Sequence, residues 1–268
     1  MSFRLSAGEL THYREEGFLV RKSVFAGTEV ESLRDAVECA ADLARALCEK
    51  GRTYFLDGKR FVDVDHFTIQ FEHSPGTETI RVIEPVHELD ERLTRLTFDP
   101  RLADPMRDII GMDEIAVWTN KLNLKRPRQG SGFGWHQDSP YWIHDSDNVD
   151  LLPNVMVALD DADNDNGCFQ VIRRSHTCGC LPGTNDGTQL GGFFTDPDRF
   201  DIADAVSMEV PAGSLIFFDP HIVHGSGPNT SDHARRALVL TYQPGGRPTL
   251  KSRQLVAVPN AYQAKLPG

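Results

Sequence analysis

His136 and Asp138 lie two residues apart in the run Gly134-Trp135-His136-Gln137-Asp138-Ser139-Pro140 and offer an imidazole nitrogen and a carboxylate oxygen. Alternate side chains of an extended backbone share a face, so both groups could reach one metal ion. A His-x-Asp triplet alone is weak, because a chain with 10 His and 39 acidic residues produces one readily by chance. A third donor must come from elsewhere. The run Asp219-Pro220-His221-Ile222-Val223-His224-Gly225-Ser226 offers two histidines, and Asp219-Pro220 ends the regular strand expected before it, so alternation does not choose between them. The downstream residues favour His224: Ser226 stands two positions beyond it and Arg235 eleven positions beyond it. Arg235 opens the strand-like stretch 235–242, and a guanidinium at a buried strand start needs an anion, for which a carboxylate is the bidentate match. Taken alone, Arg235 and Arg236 read as ordinary surface charges. Two histidines and one carboxylate on one side of a metal leave the other positions open, which is the arrangement of non-haem Fe(II) oxygenases.

Phe133, Trp135, Tyr141 and Trp142 flank the pair and could line an apolar substrate pocket, although core packing is an equal use for at least two of them. Other motifs fail their own tests. Asp161, Asp163 and Asp165 alternate ahead of Gly167, but a calcium loop needs its glycine one position earlier and an acid where Ile172 stands, so a solvated hairpin turn is the better reading. Cys178-Gly179-Cys180 lacks the second thiol pair of a soft-metal site. His144 reads as a surface histidine, and the remaining histidines have no partner at a telling spacing.

A scaffold must bring residues 136 and 224 together. With 268 residues, 40% of them hydrophobic, the chain can bury one sizeable core, and a single domain is expected. Residues 6–16 read as a short helix with Ser6 or Thr11 to cap it and Gly17 to stop it, followed by a strand at Phe18-Leu19-Val20. Between 28 and 50, Val30, Leu33, Ala36, Val37, Ala40, Ala41, Leu43, Ala44 and Leu47 recur at helical spacing, and Gly51 ends the run. Residues 54–72 alternate in part, with Phe67, Ile69 and Phe71 on one face, as a strand would. Helices are expected at 86–96 and 100–110, with Gly111 as a stop. Beyond it come strand candidates at 115–124, 151–159, 168–172, 206–210, 214–218 and 235–242, separated by turns such as Asn166-Gly167 and Pro244-Gly245-Gly246. A helical part at 1–111 and strands at about 112–245, without regular alternation, predict a mainly β antiparallel sandwich with helices packed outside. The Gly-rich stretch 181–192 would be a mobile loop near the mouth of a site.

The net charge of −11 and pI near 5.3 argue against a broad surface for nucleic acid or anionic membrane. The basic group Lys121, Lys125, Arg126 and Arg128 reads as a solvated loop, with a contact to an anionic substrate group as the alternative. Five Cys without scaffold spacing predict free thiols in a reducing compartment. Residues 1–20 lack the apolar stretch of a secretory signal, and nothing approaches the ~18 apolar residues of a membrane span, so a soluble cytoplasmic protein is expected.

Taken in order, His136-Gln137-Asp138, Asn166-Gly167-Cys168 with Ser175-His176, and His224-Gly225-Ser226-Gly227-Pro228-Asn229 with Ser231 and Arg235 resemble the phytanoyl-CoA dioxygenase family of Fe(II)/2-oxoglutarate oxygenases. The resemblance spans about 9–242, since the opening helix and Gly17-Phe18-Leu19-Val20 also look like that family. It implies a double-stranded β-helix, a jelly roll of the cupin kind. It implies further that His136, Asp138 and His224 hold iron, that Arg235 and Ser226 bind the distal carboxylate of 2-oxoglutarate, and that Gln137 helps with the chelating end. The chain departs from the family at Arg173-Arg174, where Pro-Gly is usual, and at Lys121, where an apolar residue is common. The activity implied is hydroxylation of a small, largely apolar molecule with O2, releasing succinate and CO2. Halogenases of the superfamily carry Gly or Ala in place of the carboxylate ligand, so Asp138 points to oxygen transfer instead. Two alternatives are a cupin-like metal dioxygenase or isomerase without a 2-oxo acid, which Arg235 speaks against, and a binding protein derived from the family without turnover.

Overall fold

The computed structural model describes residues 3–260. Ser6 caps helix α1 (Ala7–Glu16): its Oγ accepts from the Glu9 N–H at 3.3 Å while the Glu9 carboxylate accepts from the Ser6 N–H at 2.8 Å. Gly17 ends the helix at φ 84°, a left-handed conformation that suits glycine, and the chain passes into strand β1 (Phe18–Arg21). Helix α2 (Gly27–Cys48) buries Val30, Leu33, Val37 and four alanines, whose small side chains let it lie close to the sheet, whereas Leu43 is turned to solvent.

The expected single strand at 54–72 is instead part of a meander: β2 (Arg52–Leu56), β3 (Lys59–Val64) and β4 (Phe67–Phe71). Asp57 and Gly58 both take positive φ (48° and 75°), the two-residue turn that matches the twist of a hairpin. A further strand, β5 (Ile80–Glu84), was not expected. The helix expected at 86–96 is a turn at 87–89 and a short α3 (Glu91–Leu96) capped by Asp90, after which Asp99 caps α4 (Pro100–Ile110) and Gly111 closes it. The β-rich part then comprises β6 (Ile115–Lys125), β7 (Phe133–His136), the short helix α5 (Ser139–Trp142), β8 (Asn154–Ala158), β9 (Gln170–Ile172), β10 (Ala205–Ser207), β11 (Leu215–Phe218), β12 (His224–Ser226), β13 (Arg235–Pro244) and β14 (Ala257–Val258).

Two antiparallel sheets result. The larger runs β1-β11-β8-β13-β6-β5-β4-β3-β2, with β14 added beside β6, and the smaller runs β10-β9-β12-β7. Period-two alternation gives the larger sheet two apolar faces. Val155, Val157, Phe217, Leu122 and Leu240 pack under Val37, Ala40, Leu102 and Met106 of the helices. Met156, Ile216, Phe218, Ala237 and Val239 face Phe169, Val171 and Ile222 on the side of the smaller sheet, which closes a jelly-roll sandwich. At one edge Glu16, buried at the end of α1, accepts hydrogen bonds from Arg173 (2.7 Å) and Arg174 (2.9 Å). The Arg173-Arg174 pair therefore ties the first helix to the turn after β9.

Candidate metal centre and anion pocket

The smaller sheet sets two of the three expected metal donors. His136 ends β7 directly opposite His224, which begins β12, and their ring centroids are 4.1 Å apart. His136 Nδ1 lies 2.7 Å from the Gly134 carbonyl and His224 Nδ1 lies 3.0 Å from the Ile222 carbonyl. A carbonyl only accepts, so each Nδ1 carries the proton and each Nε2 keeps a free lone pair. Burial first, then the neighbouring His224, holds His136 down to about 3, and burial lowers His224 as well. Both rings are thus neutral at physiological pH, the form that a metal takes.

Asp138 reaches the same point by a different route from the strand alternation expected. It has helical backbone angles (φ −78°, ψ −31°) at the start of α5, and its N–H and that of Ser139 donate to the Pro220 carbonyl at 3.1 and 3.0 Å. This turn aims the carboxylate at the histidines, with Oδ2 3.9 Å from His224 Nε2. Asn154 on β8 donates to Asp138 Oδ2 at 3.0 Å and is itself fixed by the Thr241 hydroxyl at 2.6 Å. Burial opposes the charge on Asp138, but His224 and Lys121 together with the Asn154 amide hold its carboxyl below the ordinary range. The donor atoms of His136, Asp138 and His224 all lie within 4.8 Å of one another, close enough to share one ion. Two neutral imidazoles with free Nε2 and one oriented carboxylate fit Fe(II) and leave one side of it open to the cavity.

That cavity measures about 300 Å³ and extends from the donors to Arg235 and Ser226. Arg235 is buried, and its hydrogen bond among the described residues goes to the Gly167 carbonyl, while its Nε has no acceptor. Burial lowers the guanidinium to about 10. A buried, incompletely bonded guanidinium fits the carboxylate of a 2-oxo acid. Arg236 faces the other way and pairs with Asp160 at 2.7 Å and Glu38 at 3.0 Å. Asp160, just ahead of the Asp161–Gly167 turn, is thereby buried and paired. Gly167, at φ 74°, sits where an added Cβ would meet the Gly227 carbonyl at 2.3 Å, so the Asn166-Gly167 turn needs glycine to present its carbonyl to Arg235.

Other residues expected at the site are distributed less evenly. Phe133 and Tyr141 line the cavity. Trp135 packs on Phe200 instead, with ring centroids 5.9 Å apart. Trp142 is buried edge-on to Trp118 and borders a neighbouring pocket shared with Lys121. Gln137 is fully buried outside the cavity walls: its amide donates to the Gly179 (2.8 Å) and His221 carbonyls and accepts from the Leu181 N–H at 2.7 Å. Its position therefore gives it no contact with a chelating group. His221 bonds Asp150 at 2.7 Å and lies outside the donor cluster.

The basic group divides too. Lys121 lines the cavity and Lys125 is fully buried, contrary to the expected solvated loop, while Arg126 and Arg128 pair with Glu38 and Asp232. Of the stretch 181–192, Leu190 lines the cavity, and Phe193 and Phe194 follow directly after it. Phe194 contributes to the wall, Phe193 stacks on Tyr141 at 4.4 Å, and the N–H groups of Gln189 and Leu190 donate to Asp57 at the β2–β3 turn. Asn154 and the cavity residues Gln70, Glu84 and Asn123 carried no signal of their own, because only strand pairing places them here.

The family model for phytanoyl-CoA dioxygenase matches residues 13–237. An ectoine dioxygenase of Bordetella bronchiseptica is 28% identical over 255 residues, covering 89% of this chain and 75% of its own. An L-proline trans-4-hydroxylase of Streptomyces griseoviridis is 27% identical over 184 residues, covering 62% and 68%. The crystal structure of EctD from S. alaskensis with 2-oxoglutarate and 5-hydroxyectoine superposes with a TM-score of 0.69 at 26% identity, covering 90% of this chain and 76% of that one. With the match running through both metal-donor segments and Arg235, the chain belongs to the phytanoyl-CoA dioxygenase family.

Proposed function

We propose that this chain hydroxylates a small molecule at a non-haem iron held by His136, Asp138 and His224, with 2-oxoglutarate anchored by Arg235 and Ser226. As a member of its family it is an Fe(II)/2-oxoglutarate-dependent dioxygenase. The observation that carries the reading is the pairing of the donor triad with a buried, incompletely bonded guanidinium in the lining of one cavity. A cupin-like enzyme without a 2-oxo acid has no use for that guanidinium.

When bound, iron and the 2-oxo acid supply the oxidative decarboxylation that yields succinate, CO2 and an oxidised substrate. The chain's residues do the positioning. Asn154 fixes Asp138, the Gly134 and Ile222 carbonyls fix the imidazoles, and Arg235 sets the distance of the cosubstrate from the donors. Tyr141, Phe133 and Phe194 wall the cavity and exclude water.

The substrate side is more polar than the sequence suggested. Lys121 and Glu84 line it beside Phe61, Gln70 and Asn123, and both Glu84 and Asp138 outweigh burial to keep Lys121 charged. We therefore read the substrate as a small molecule with an apolar body and at least one acidic group for Lys121, rather than a largely apolar one. Five free thiols support a reducing, cytoplasmic setting. The test is succinate formation from 2-oxoglutarate by the Fe(II) protein under air, screened across small carboxylic and amino acids. Turnover that persists without 2-oxoglutarate refutes the reading, and oxygen-18 from O2 in the product supports it.

A further inference from the structure

Lys125, the last residue of β6, stands directly opposite Arg235, the first of β13. Their exposures are 0% and 3%. Like charges at paired positions of neighbouring strands repel, and burial sharpens the repulsion. The hydrogen bonds that the two side chains make among the described residues go to neutral oxygens only. Arg81 is close by, but it has Glu72 at 3.6 Å and the Ser131 and Gly132 carbonyls. Two buried basic side chains therefore stand together here, Arg235 on the cavity wall and Lys125 beside it, with no anion bonded to either among the described residues, and the Gly167 carbonyl accepts from both.

Lys125 Nζ reaches Gly167 O at 3.1 Å, Ser226 Oγ at 2.7 Å and Gly227 O. An ammonium group has three protons and no lone pair, so a charged Lys125 must donate to the Ser226 oxygen. The Ser226 proton is then free to turn into the cavity, which Ser226 lines together with Arg235. A neutral amine has a lone pair to which Ser226 can donate that proton instead.

We propose that Lys125 is a positioning residue for the anionic end of the cosubstrate: its ammonium makes the Ser226 hydroxyl a donor to the carboxylate held by Arg235, and that carboxylate in turn keeps Lys125 protonated. The inference rests on the 2-oxoglutarate reading of the site. In the free protein, burial first, then Arg235 and Arg81, press Lys125 down to about 6, with Cys168 and Glu72 pulling weakly the other way. The lysine is then mostly neutral at neutral pH. A carboxylate arriving beside Arg235 reverses the local field, so binding draws a proton from solvent. The ionisable groups facing Lys125 are Arg235 on β13, Arg81 on β5, Glu72 after β4 and Cys168 before β9. Arg235, at about 10, keeps its charge, and burial pushes the Cys168 thiol up, so neither exchanges a proton near neutrality.

The test is calorimetric titration of 2-oxoglutarate into the Fe(II)-loaded protein without oxygen, near neutral pH, in two buffers of different ionisation enthalpy. 2-Oxobutanoate, which keeps the chelating end and lacks the distal carboxylate, serves as reference, and the difference between the acids cancels protons moved at the metal. Wild type is expected to take up at most about one proton more with 2-oxoglutarate, an uptake that fades below about pH 6. Lys125→Met is expected to bind 2-oxoglutarate about ten- to a hundredfold more weakly, without that uptake and with Fe(II) binding unchanged. Equal affinity in the variant, or no excess uptake by wild type, overturns the role of Lys125 and leaves the 2-oxoglutarate reading standing. Should Lys125→Met fail to fold, the wild-type proton balance decides by itself. No binding of 2-oxoglutarate to Fe(II)-loaded wild type overturns both.

Discussion

Replacing Arg235 by methionine should move stability and cosubstrate affinity in opposite directions. Burial lowers this guanidinium well below its ordinary range, to about 10, which corresponds to roughly 3 kcal/mol of unfavourable charge burial. A cation whose folded value lies below its unfolded one weakens the fold at every pH where both states are charged, and the loss disappears only as pH rises above the unfolded value. Methionine removes the charge at similar length, so the free variant should be more stable than wild type by about 1–3 kcal/mol in urea denaturation at neutral pH. The same change removes the partner of a desolvated carboxylate, which typically costs ~3–5 kcal/mol, or a loss of about two to three and a half orders of magnitude in 2-oxoglutarate affinity. Saturating 2-oxoglutarate at a hundred times its Kd should stabilise Fe(II)-loaded wild type by about 2.7 kcal/mol and leave the variant unmoved. Arg236→Ala should change affinity little, because its side chain is occupied with Asp160 and Glu38. A free Arg235→Met protein that is less stable and binds 2-oxoglutarate normally would refute the reasoning.

Anaerobic Fe(II) titration should show binding lost in His136→Ala, Asp138→Ala and His224→Ala and kept in His221→Ala; loss in the His221 variant alone would reassign the third ligand. Asn154→Ala frees Asp138 to rotate and should weaken metal affinity about 10–100-fold with the fold intact, and an unchanged affinity would show that the turn at 138–139 suffices. Glu16 is held at about 2 rather than 4.5, by Arg173 first and then Arg174. Its contribution is complete above about 4.5 and is lost as pH falls through about 2. Wild type and Glu16→Gln should therefore differ in denaturation midpoint at neutral pH and converge on acidification, while a gap independent of pH would argue against the arginine clamp.

The donor triad was legible because its cues are local: a two-residue spacing in one segment, and a serine and arginine at fixed offsets from a histidine in another. Strand alternation was nevertheless an incomplete reason for Asp138. Ser139-Pro140 signals the first turn of a helix, and that turn, not strand alternation, aims the carboxylate. The Asp57-Gly58 turn inside 54–72 was likewise readable as a hairpin and would have divided the strand. Register, by contrast, could not be read. Lys125 and Arg235 are 110 positions apart, and only the β6–β13 ladder makes them neighbours, just as only the β8–β13 ladder sets Asn154 against Thr241. Gln137 failed for a complementary reason: its neighbours in the chain are ligands, but the turn between them points it at the backbone of residues 179–181 and 221.

The larger sheet divides two duties between alternate residues. Across β3, β4, β5 and β6, Phe61, Gln70, Val82 and Asn123 stand in one cross-strand row under the cavity, and the next row, Val62, Ile69, Ile83 and Leu122, belongs to the helix-packed core. None of the cavity row holds the metal donors or Arg235, which come from other strands and turns. Drift in those four positions can therefore reshape what the enzyme accepts without disturbing the fold beneath or the oxidation chemistry beside it. An engineer seeking a new substrate would randomise this row first, and a lineage diverging by single mutations would find its most accessible novelty in the same place.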